Sequence, residues 1–178
     1  YKIVDSAQKV EKGQYSNEAN NKDLMIFSFY PTKPIGSCDG GIIVSNDESK
    51  IHWFKEATLN GMSFSKDNWQ RRISFPGYKM YMNSIQAYIA EKNLDVLDLK
   101  NERLAYIRNK YNNSFGLENT SGHLYRLNVH NRAEFIFSMK EERIQVGVHY
   151  AALHENKIYN EQKMNSNLGQ SSFEGKTT

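Results

Sequence analysis

The sequence predicts an α/β fold in which strands and helices alternate along the chain. Short apolar runs are followed by longer segments of helical periodicity, an order typical of a sheet covered by helices. The run Asp23–Tyr30 is apolar and aromatic without alternation, which indicates a strand buried on both faces. After the long helical segment the elements become shorter and indicate a small α+β unit. We therefore predict a domain boundary near residue 95, which separates residues 1–95 from residues 96–178.

In the first unit, the elements follow from apolar runs and the residues that end them. Pro31 and Pro34 interrupt the backbone after the second strand, and Gly40-Gly41 leads into the third. Asn83 is predicted to cap a long helix that runs to about residue 112 with a break near Asp95. The remaining predictions are strands at 1–4, 23–30 and 42–44, a helix from 47 or 48 to about 60 ended by Gly61, and a loop over 62–76.

In the second unit, the signals are weaker. Strands are predicted at 123–129 and 144–148, and a helix that Asn131 starts is predicted between them, ending at Glu142. From Glu155 onward the sequence is polar and is predicted to be mostly loop.

Composition excludes several classes of function. The net charge of +3 is spread along the chain without a dense Lys/Arg block, so a nucleic-acid partner is not expected. No run of about 18 apolar residues occurs, so no membrane span is predicted. Cys38 is the only cysteine, which rules out an internal disulfide and favours a reducing, cytoplasmic location. His149 and His154 lack the spacing of a metal pair and have no acidic or cysteine cluster beside them, so no metal is expected.

Three side chains within or next to predicted strands could carry chemistry. Lys33 follows a buried strand, where a partly desolvated amine becomes a better nucleophile. Asp5 lies at the carboxyl end of the first strand, the edge at which α/β folds bind ligands. Ser28 is a hydroxyl in an otherwise apolar strand. Each also has an ordinary explanation: a solvated surface lysine, a helix cap at Asp5, and a hydroxyl that bonds a neighbouring carbonyl.

The order of several short blocks makes the chemical interpretation more specific. Together the blocks resemble the DegT-type family of sugar aminotransferases, in register over essentially the whole chain. The blocks are Asp5-Ser6-Ala7-Gln8, Ser28-Phe29-Tyr30-Pro31-Thr32-Lys33, Asp39-Gly40-Gly41, Gly77-Tyr78-Lys79-Met80-Tyr81-Met82-Asn83-Ser84-Ile85-Gln86-Ala87 and Gly147-Val148-His149-Tyr150-Ala151-Ala152-Leu153-His154.

The resemblance implies a fold, a cofactor and a role for single residues. The fold would be that of type I aminotransferases dependent on pyridoxal 5′-phosphate (PLP), with residues 1–95 forming the second half of a large, mostly parallel-sheet domain and residues 96–178 an incomplete small domain. Lys33 would form an imine with PLP and shuttle a proton during transfer. The other implied roles are a pyridine partner at Asp5, a ring contact at Gln8, a phosphate-binding hydroxyl at Ser28, a phosphate contact at Lys79, and substrate contacts at His149, Tyr150 and His154.

The resemblance also implies substrates and an assembly. The reaction would move an amino group, expected to come from glutamate, onto a nucleotide-linked keto-deoxysugar. Lys79, which stands where the family often has Asn, would reach the cofactor of a second subunit, giving a homodimer with shared active sites. The family's N-terminal segment, with a glycine-rich phosphate loop, cannot be assigned here, so we expect a fragment that is inactive alone. A non-catalytic binding or regulatory relative is the alternative. A PLP dehydratase is less favoured, because that branch replaces the lysine.

Overall fold

The computed structural model describes residues 1–63 and 71–160 of the chain. These residues form short strands followed by longer helices. The strands are β1 Ile3–Asp5, β2 Leu24–Ser28, β3 Gly41–Val44, β4 Met62–Ser63 and β5 Arg72–Ile73. The helices are α1 Gln14–Glu18, α2 Glu48–Ala57, α3 Ser84–Asp95, α4 Leu97–Phe115, α5 Arg132–Glu141 and α6 Lys157–Asn160, with a short 3-10 helix at Leu153–Glu155.

The strands β1, β2 and β3 form one sheet in that order. β1 runs parallel to β2 with Asp5 opposite Ile26, and β3 runs antiparallel to β2 with Gly41 opposite Ser28. Because parallel strands end at the same edge of a sheet, Asp5 and Ser28 lie at one edge, two residues apart in register. The fold thus brings two predicted site residues to the same place.

The core lies on the face of the sheet to which Met25 and Phe27 point. Met25 is fully buried, and Phe29 and Ile35 extend the cluster beyond the strand. Ala90 of α3 and Leu97 of α4 complete it, so both helices pack on the backbone that follows β2. The prediction that β2 is buried on both faces is wrong at Ile26, which is 37% exposed because the described residues do not cover it.

The predicted helix starts are confirmed by their caps. The Asp47 carboxylate accepts a hydrogen bond from the Lys50 backbone N–H at the start of α2. Asn83 forms a capping box with Gln86 at the start of α3. The predicted break lies at Val96, between α3 and α4.

Further helix boundaries depart little from the prediction. The helix predicted at Asn131 is α5, and the Asn131 side chain accepts from the Glu134 N–H. The predicted C-terminus of α2 at residue 60 is too late by three residues, because α2 ends at Ala57. A short helix, α6, also lies in the segment from Glu155 that was predicted to be mostly loop, while residues 161–178 lie outside the described residues.

The strand predictions at 123–129 and 144–148 are wrong. Neither segment forms a strand. An apolar run becomes a strand only when a neighbouring segment pairs with it, and no described segment pairs with these two. The loop predicted over 62–76 contains the short antiparallel pair β4–β5, with Met62 opposite Ile73. Residues 64–70 of that loop lie outside the described residues.

The chain forms two compact units, Tyr1–Leu124 and Tyr125–Thr178. The boundary predicted near residue 95 coincides with the α3–α4 junction, which lies within the first unit. Within residues 1–63 and 71–160, none of the helices has the length and apolar character needed to cross a membrane.

Candidate active site

Asp5 ends β1 with one carboxylate oxygen engaged. Its Oδ1 atom accepts a hydrogen bond of 3.0 Å from the Ala7 N–H, and the other oxygen has no partner in the described part of the chain. Residues 7–8 form a turn and not a helix, so the helix-cap explanation for Asp5 does not hold. The carboxylate is exposed at the sheet edge and available to a ligand.

Hydrogen bonds, some of them buried, stabilise the turn that carries Gln8. The Ser6 N–H donates to the Ile26 carbonyl at 2.8 Å, and the Lys9 N–H donates to the Ser6 carbonyl at 3.2 Å. The Gln14 side-chain amide donates to the Ser6 hydroxyl at 2.9 Å, and both side chains are buried. Gln8 itself is exposed and has no side-chain partner among residues 1–63 and 71–160.

Lys33 lies on a compact turn just beyond β2. Its N–H donates to the Tyr30 carbonyl at 2.9 Å, and the Ser37 N–H closes the loop by donating to the Phe29 carbonyl at 2.8 Å. A side chain at Gly36 would overlap the Pro31 carbonyl, so glycine is needed there for the close turn. The half-buried Lys33 ammonium makes no hydrogen bond or ion pair with the described residues.

Ser28 differs from the simple expectation of a hydroxyl that bonds a carbonyl. Its oxygen accepts a hydrogen bond from the Tyr30 N–H at 3.3 Å. The hydroxyl proton finds no acceptor in the part of the chain that the structure describes. A half-buried donor at the sheet edge therefore remains available to an anionic group.

The other lysines near Lys33 and Asp5 are already engaged. Lys9 pairs with Glu18 at 2.6 Å and with Glu11 at 3.2 Å, and the Glu18 carboxylate, more than Glu11, raises the pKa of the Lys9 ammonium. Lys100 donates to the Pro34 carbonyl at 2.7 Å. Lys33 differs from both, because its ammonium has no partner among residues 1–63 and 71–160.

A cleft of about 510 Å³ borders this region. Its lining includes Asp5, Gln8, Pro34, Asn101 and Arg108. Arg108 donates one hydrogen bond of 3.3 Å to the Thr120 carbonyl. The cleft therefore begins at the turn after β1 and reaches the residue that directly follows Lys33.

Sequence reasoning missed the residues that hold these turns. Gln14, Lys100 and Asn101 bond the loops that carry Asp5, Gln8 and Lys33, in three contacts. Lys100 and Asn101 act across sequence separations of 66 and 91 residues. No local pattern marks such contacts, so only the folded chain reveals them.

Lys79 lies on a segment that runs back along the end of α2. The Tyr78 N–H donates to the Ala57 carbonyl at 2.7 Å, and the Met80 N–H donates to the Thr58 carbonyl at 2.9 Å. The Lys79 side chain is exposed, with its ammonium 5.9 Å from the centre of the Tyr81 ring. The Lys79 ammonium is therefore exposed at the surface of this chain.

The three predicted substrate contacts belong to the second unit. His149 and Tyr150 are exposed, with ring centres 5.2 Å apart. His154 is half-buried in the short helix Leu153–Glu155. Their role near a substrate stays a prediction. Within residues 1–63 and 71–160, no group of three or more His, Cys, Asp or Glu residues could hold a metal ion.

Comparison with known proteins places this geometry in a family. The sequence profile of the DegT/DnrJ/EryC1/StrS aminotransferase family matches residues 3–172. The chain is 30% identical over 166 residues to the spore coat polysaccharide biosynthesis protein SpsC of Bacillus subtilis, covering 79% of this chain and 43% of that protein. It is 27% identical over 176 residues to the UDP-4-amino-4,6-dideoxy-N-acetyl-beta-L-altrosamine transaminase of Campylobacter jejuni, covering 88% and 46%.

The fold agrees with these relationships. The PLP-form of Spr1654 from Streptococcus pneumoniae superposes with a TM-score of 0.77 at 22% identity, covering 99% of this chain and 52% of that one. The predicted aminotransferase fold is confirmed by this likeness. The chain spans about half the length of the relatives that it matches. On the profile match over nearly its whole length, the chain belongs to the DegT/DnrJ/EryC1/StrS aminotransferase family.

Proposed function

We propose that the chain contributes the lysine-bearing half of the active site of a PLP-dependent sugar aminotransferase. The observation that carries this proposal is the free ammonium of Lys33, one turn beyond the sheet edge that holds Asp5 and Ser28. Lys9 and Lys100, which lie nearby, are committed to other partners. Lys33, unlike these two lysines, has no hydrogen bond or ion pair with the described residues, which supports a chemical role for its amine.

The residues at the sheet edge fit the chemistry of PLP. Asp5 offers an unpartnered carboxylate oxygen, which suits a protonated pyridine nitrogen. Ser28 offers a hydroxyl proton without an acceptor among the described residues, which suits a phosphate. Lys33 offers the amine that an aldehyde requires. Gln8 is exposed on the turn after Asp5 and could cover one ring face.

PLP, when bound, supplies an electron sink for the bond that breaks at the amino-bearing carbon. The protein supplies the remaining chemistry. Lys33 Nζ would hold the cofactor, and once Nζ is released from the cofactor it would accept and return a proton. The Asp5 carboxylate would favour a protonated, positively charged pyridine nitrogen, since opposite charges at short range favour the ionised forms. Ser28 and the compact Tyr30–Lys33 turn orient these groups before a substrate binds.

The proposed substrates are a nucleotide-linked keto-sugar and glutamate as the amino donor, in amino-sugar biosynthesis. The similar protein from Campylobacter jejuni is named as a transaminase of a UDP-amino sugar. That name supports a nucleotide sugar as the substrate of the present chain. His149, Tyr150 and His154 are the proposed substrate contacts. We further propose a cytoplasmic homodimer in which Lys79 serves the partner's cofactor, with 1–95 and 96–178 as the two domains.

A non-catalytic relative is the competing function. Such a protein would bind a partner or a ligand without needing a free amine, a carboxylate and a hydroxyl at one edge. The combination of Lys33, Asp5 and Ser28 therefore favours the enzyme. A dehydratase is disfavoured as well, because Lys33 is retained.

Borohydride reduction tests the proposal in the whole protein, meaning the polypeptide of which this chain is all or part. Reduction with PLP present is expected to label Lys33, as shown by peptide mapping. Lys33→Ala should abolish label and transamination, whereas Lys55→Ala, an exposed lysine of α2, should change neither. Label on Lys22 or Lys79 instead of Lys33 would refute the assignment.

A further inference from the structure

Two adjacent residues of α4 hold the two turns that carry the proposed cofactor-binding groups. The Lys100 ammonium donates to the Pro34 carbonyl at 2.7 Å, and the Asn101 side-chain amide donates to the Val10 carbonyl at 2.9 Å. Pro34 directly follows Lys33. Val10 follows Gln8 by two residues, so one acceptor lies in the Lys33 turn and the other directly after the turn that carries Gln8.

Beyond the strands, the two turns are no longer joined to each other by the hydrogen bonds of the sheet. The ladder between β1 and β2 continues only to the Ser6 N–H, which donates to the Ile26 carbonyl at 2.8 Å. After that point the two turns leave the sheet in the described chain. Beyond the sheet, side chains of neighbouring helices hold the two turns, and α4 is the helix that contacts both.

The element that carries Lys100 and Asn101 is itself firmly placed. Leu97, the first residue of α4, is a buried member of the core. From α3, the Asn93 side chain donates to the Gly36 carbonyl, and the Gln86 carbonyl accepts from the Ser37 hydroxyl at 2.8 Å. The turn after β2 is thus held along its length by α3 and α4, and the turn after β1 by Asn101 together with the Gln14–Ser6 hydrogen bond.

We propose that Lys100 and Asn101 are positioning residues that together fix the separation of the Asp5–Gln8 turn and the Lys33 turn, and thereby set the affinity for PLP. The inference rests on the proposed function, since PLP is the group that both turns would grip. Neither side chain needs to touch the cofactor. A ligand that contacts two loose turns must order both on binding, and prior ordering by α4 removes that cost.

The test is a double-substitution cycle in the whole protein. Lys100→Met keeps the aliphatic stem and removes the donor, and Asn101→Ala removes the other donor. Each is expected to weaken PLP binding about tenfold, the scale of one hydrogen bond that involves a charged or well-placed donor. The double variant should be little weaker than the single ones, because loss of either bond already loosens the connection between the two turns through α4. Lys100→Arg, which can still donate to a carbonyl, should restore most of the affinity.

Matched controls and a readout without cofactor separate positioning from general stability. Lys55→Met and Asn109→Ala alter exposed residues of the same types on α2 and α4, and should leave PLP affinity unchanged. In the cofactor-free protein, Lys100→Met should accelerate hydrogen exchange at the Lys33 and Ser37 amides. The melting temperature should fall little.

The outcomes distinguish the inference from the proposed function. Unchanged PLP affinity in both single variants overturns it. If the losses of PLP affinity in the two single variants add in full in the double variant, the inference is also overturned, because each residue would then serve only its own turn. If wild-type protein takes no label at Lys33, the proposed function fails. Unchanged exchange at Lys33 and Ser37 would then overturn the positioning role as well.

Discussion

The backbones of Gly61 and Gly77 lie against each other where the segment carrying Lys79 passes the end of α2. A Cβ atom at Gly77 would overlap the Gly61 amide nitrogen, and one at Gly61 would overlap the Phe75 carbonyl oxygen. Gly61 also has a φ of 71°, a left-handed conformation that glycine adopts most readily. The position of the Lys79 segment therefore depends on two residues without side chains.

Gly77→Ala is expected to destabilise the protein, because the added methyl group meets backbone that cannot move aside as a side chain could. The free energy of unfolding should fall by about 1–3 kcal/mol, the usual cost of overpacking. Gly122→Ala is the matched control, since a Cβ there meets nothing within 4 Å. Equal melting temperatures for the two variants would contradict the proposed close contact.

Gln14 is expected to stabilise the turn after β1. Its amide donates to the Ser6 hydroxyl at 2.9 Å, and its side-chain oxygen accepts from the Glu11 N–H at 3.1 Å. Gln14→Ala leaves the buried Ser6 hydroxyl without this donor, at a cost of about 1–3 kcal/mol. Urea unfolding measures the loss, and Lys12→Ala, an exposed neighbour, should show none. A Gln14→Ala protein as stable as Lys12→Ala would show that water replaces the network without cost.

Asp23 is expected to make stability depend on pH. Its carboxylate accepts backbone hydrogen bonds from Lys2 and Asn20, each 2.8 Å long, and the bond from Lys2 is the main cause that holds its pKa below the usual 3.8. A depressed folded-state pKa means that folding favours the ionised carboxylate. Its contribution is therefore complete above the ordinary pKa and is lost as pH falls through the folded-state value.

Asp23→Asn should accordingly be less stable than wild type near neutral pH, and the difference should shrink toward about pH 3. Urea unfolding at several pH values measures this difference. Asp98→Asn, at an exposed position of α4, serves as the control for a lost negative charge. A difference that stays constant over this range would mean that Asp23 stabilises the fold without regard to its charge.

Local sequence signals predicted those parts of the fold that depend on residues close together in the sequence. The capping residues Asn83 and Asn131 and the break near Asp95 mark helix ends within a few positions, and the structure confirms them. The apolar run through Met25 predicted β2 for the same reason. Strands at 123–129 and 144–148 failed because pairing needs a distant partner, which an apolar run does not specify.

The site shows the same division. The resemblance to the aminotransferase family named Asp5, Ser28 and Lys33 as site residues, and the parallel pairing of β1 with β2 then puts Asp5 and Ser28 at one edge of the sheet. Lys100 and Asn101 could not be predicted, since a lysine and an asparagine on a polar helix are most often solvated. Their acceptors are backbone carbonyls 66 and 91 residues away, and any residue type supplies a carbonyl.

Lys79 provides the test of a shared active site. Its ammonium is exposed, and Tyr78 and Met80 on either side of it are each 70% exposed, as expected for residues that a second subunit would cover. If Lys79 contacts the PLP phosphate of that subunit, Lys79→Ala should weaken PLP binding roughly ten- to hundredfold, the value of a charge-assisted hydrogen bond. Label at Lys33 should persist at saturating cofactor. Unchanged PLP affinity would remove Lys79 from the site.

Mixed dimers decide which subunit Lys79 serves. A dimer of one Lys33→Ala subunit and one Lys79→Ala subunit has a single Lys33, carried by the Lys79→Ala subunit. If sites are shared, the partner supplies Lys79 to that site, so Lys33 should be labelled at wild-type PLP concentrations. If Lys79 serves its own subunit, that site lacks it, and labelling should require the higher concentrations of the Lys79→Ala homodimer. The PLP concentration at half-maximal label therefore separates the two arrangements, and the higher value would refute the shared site.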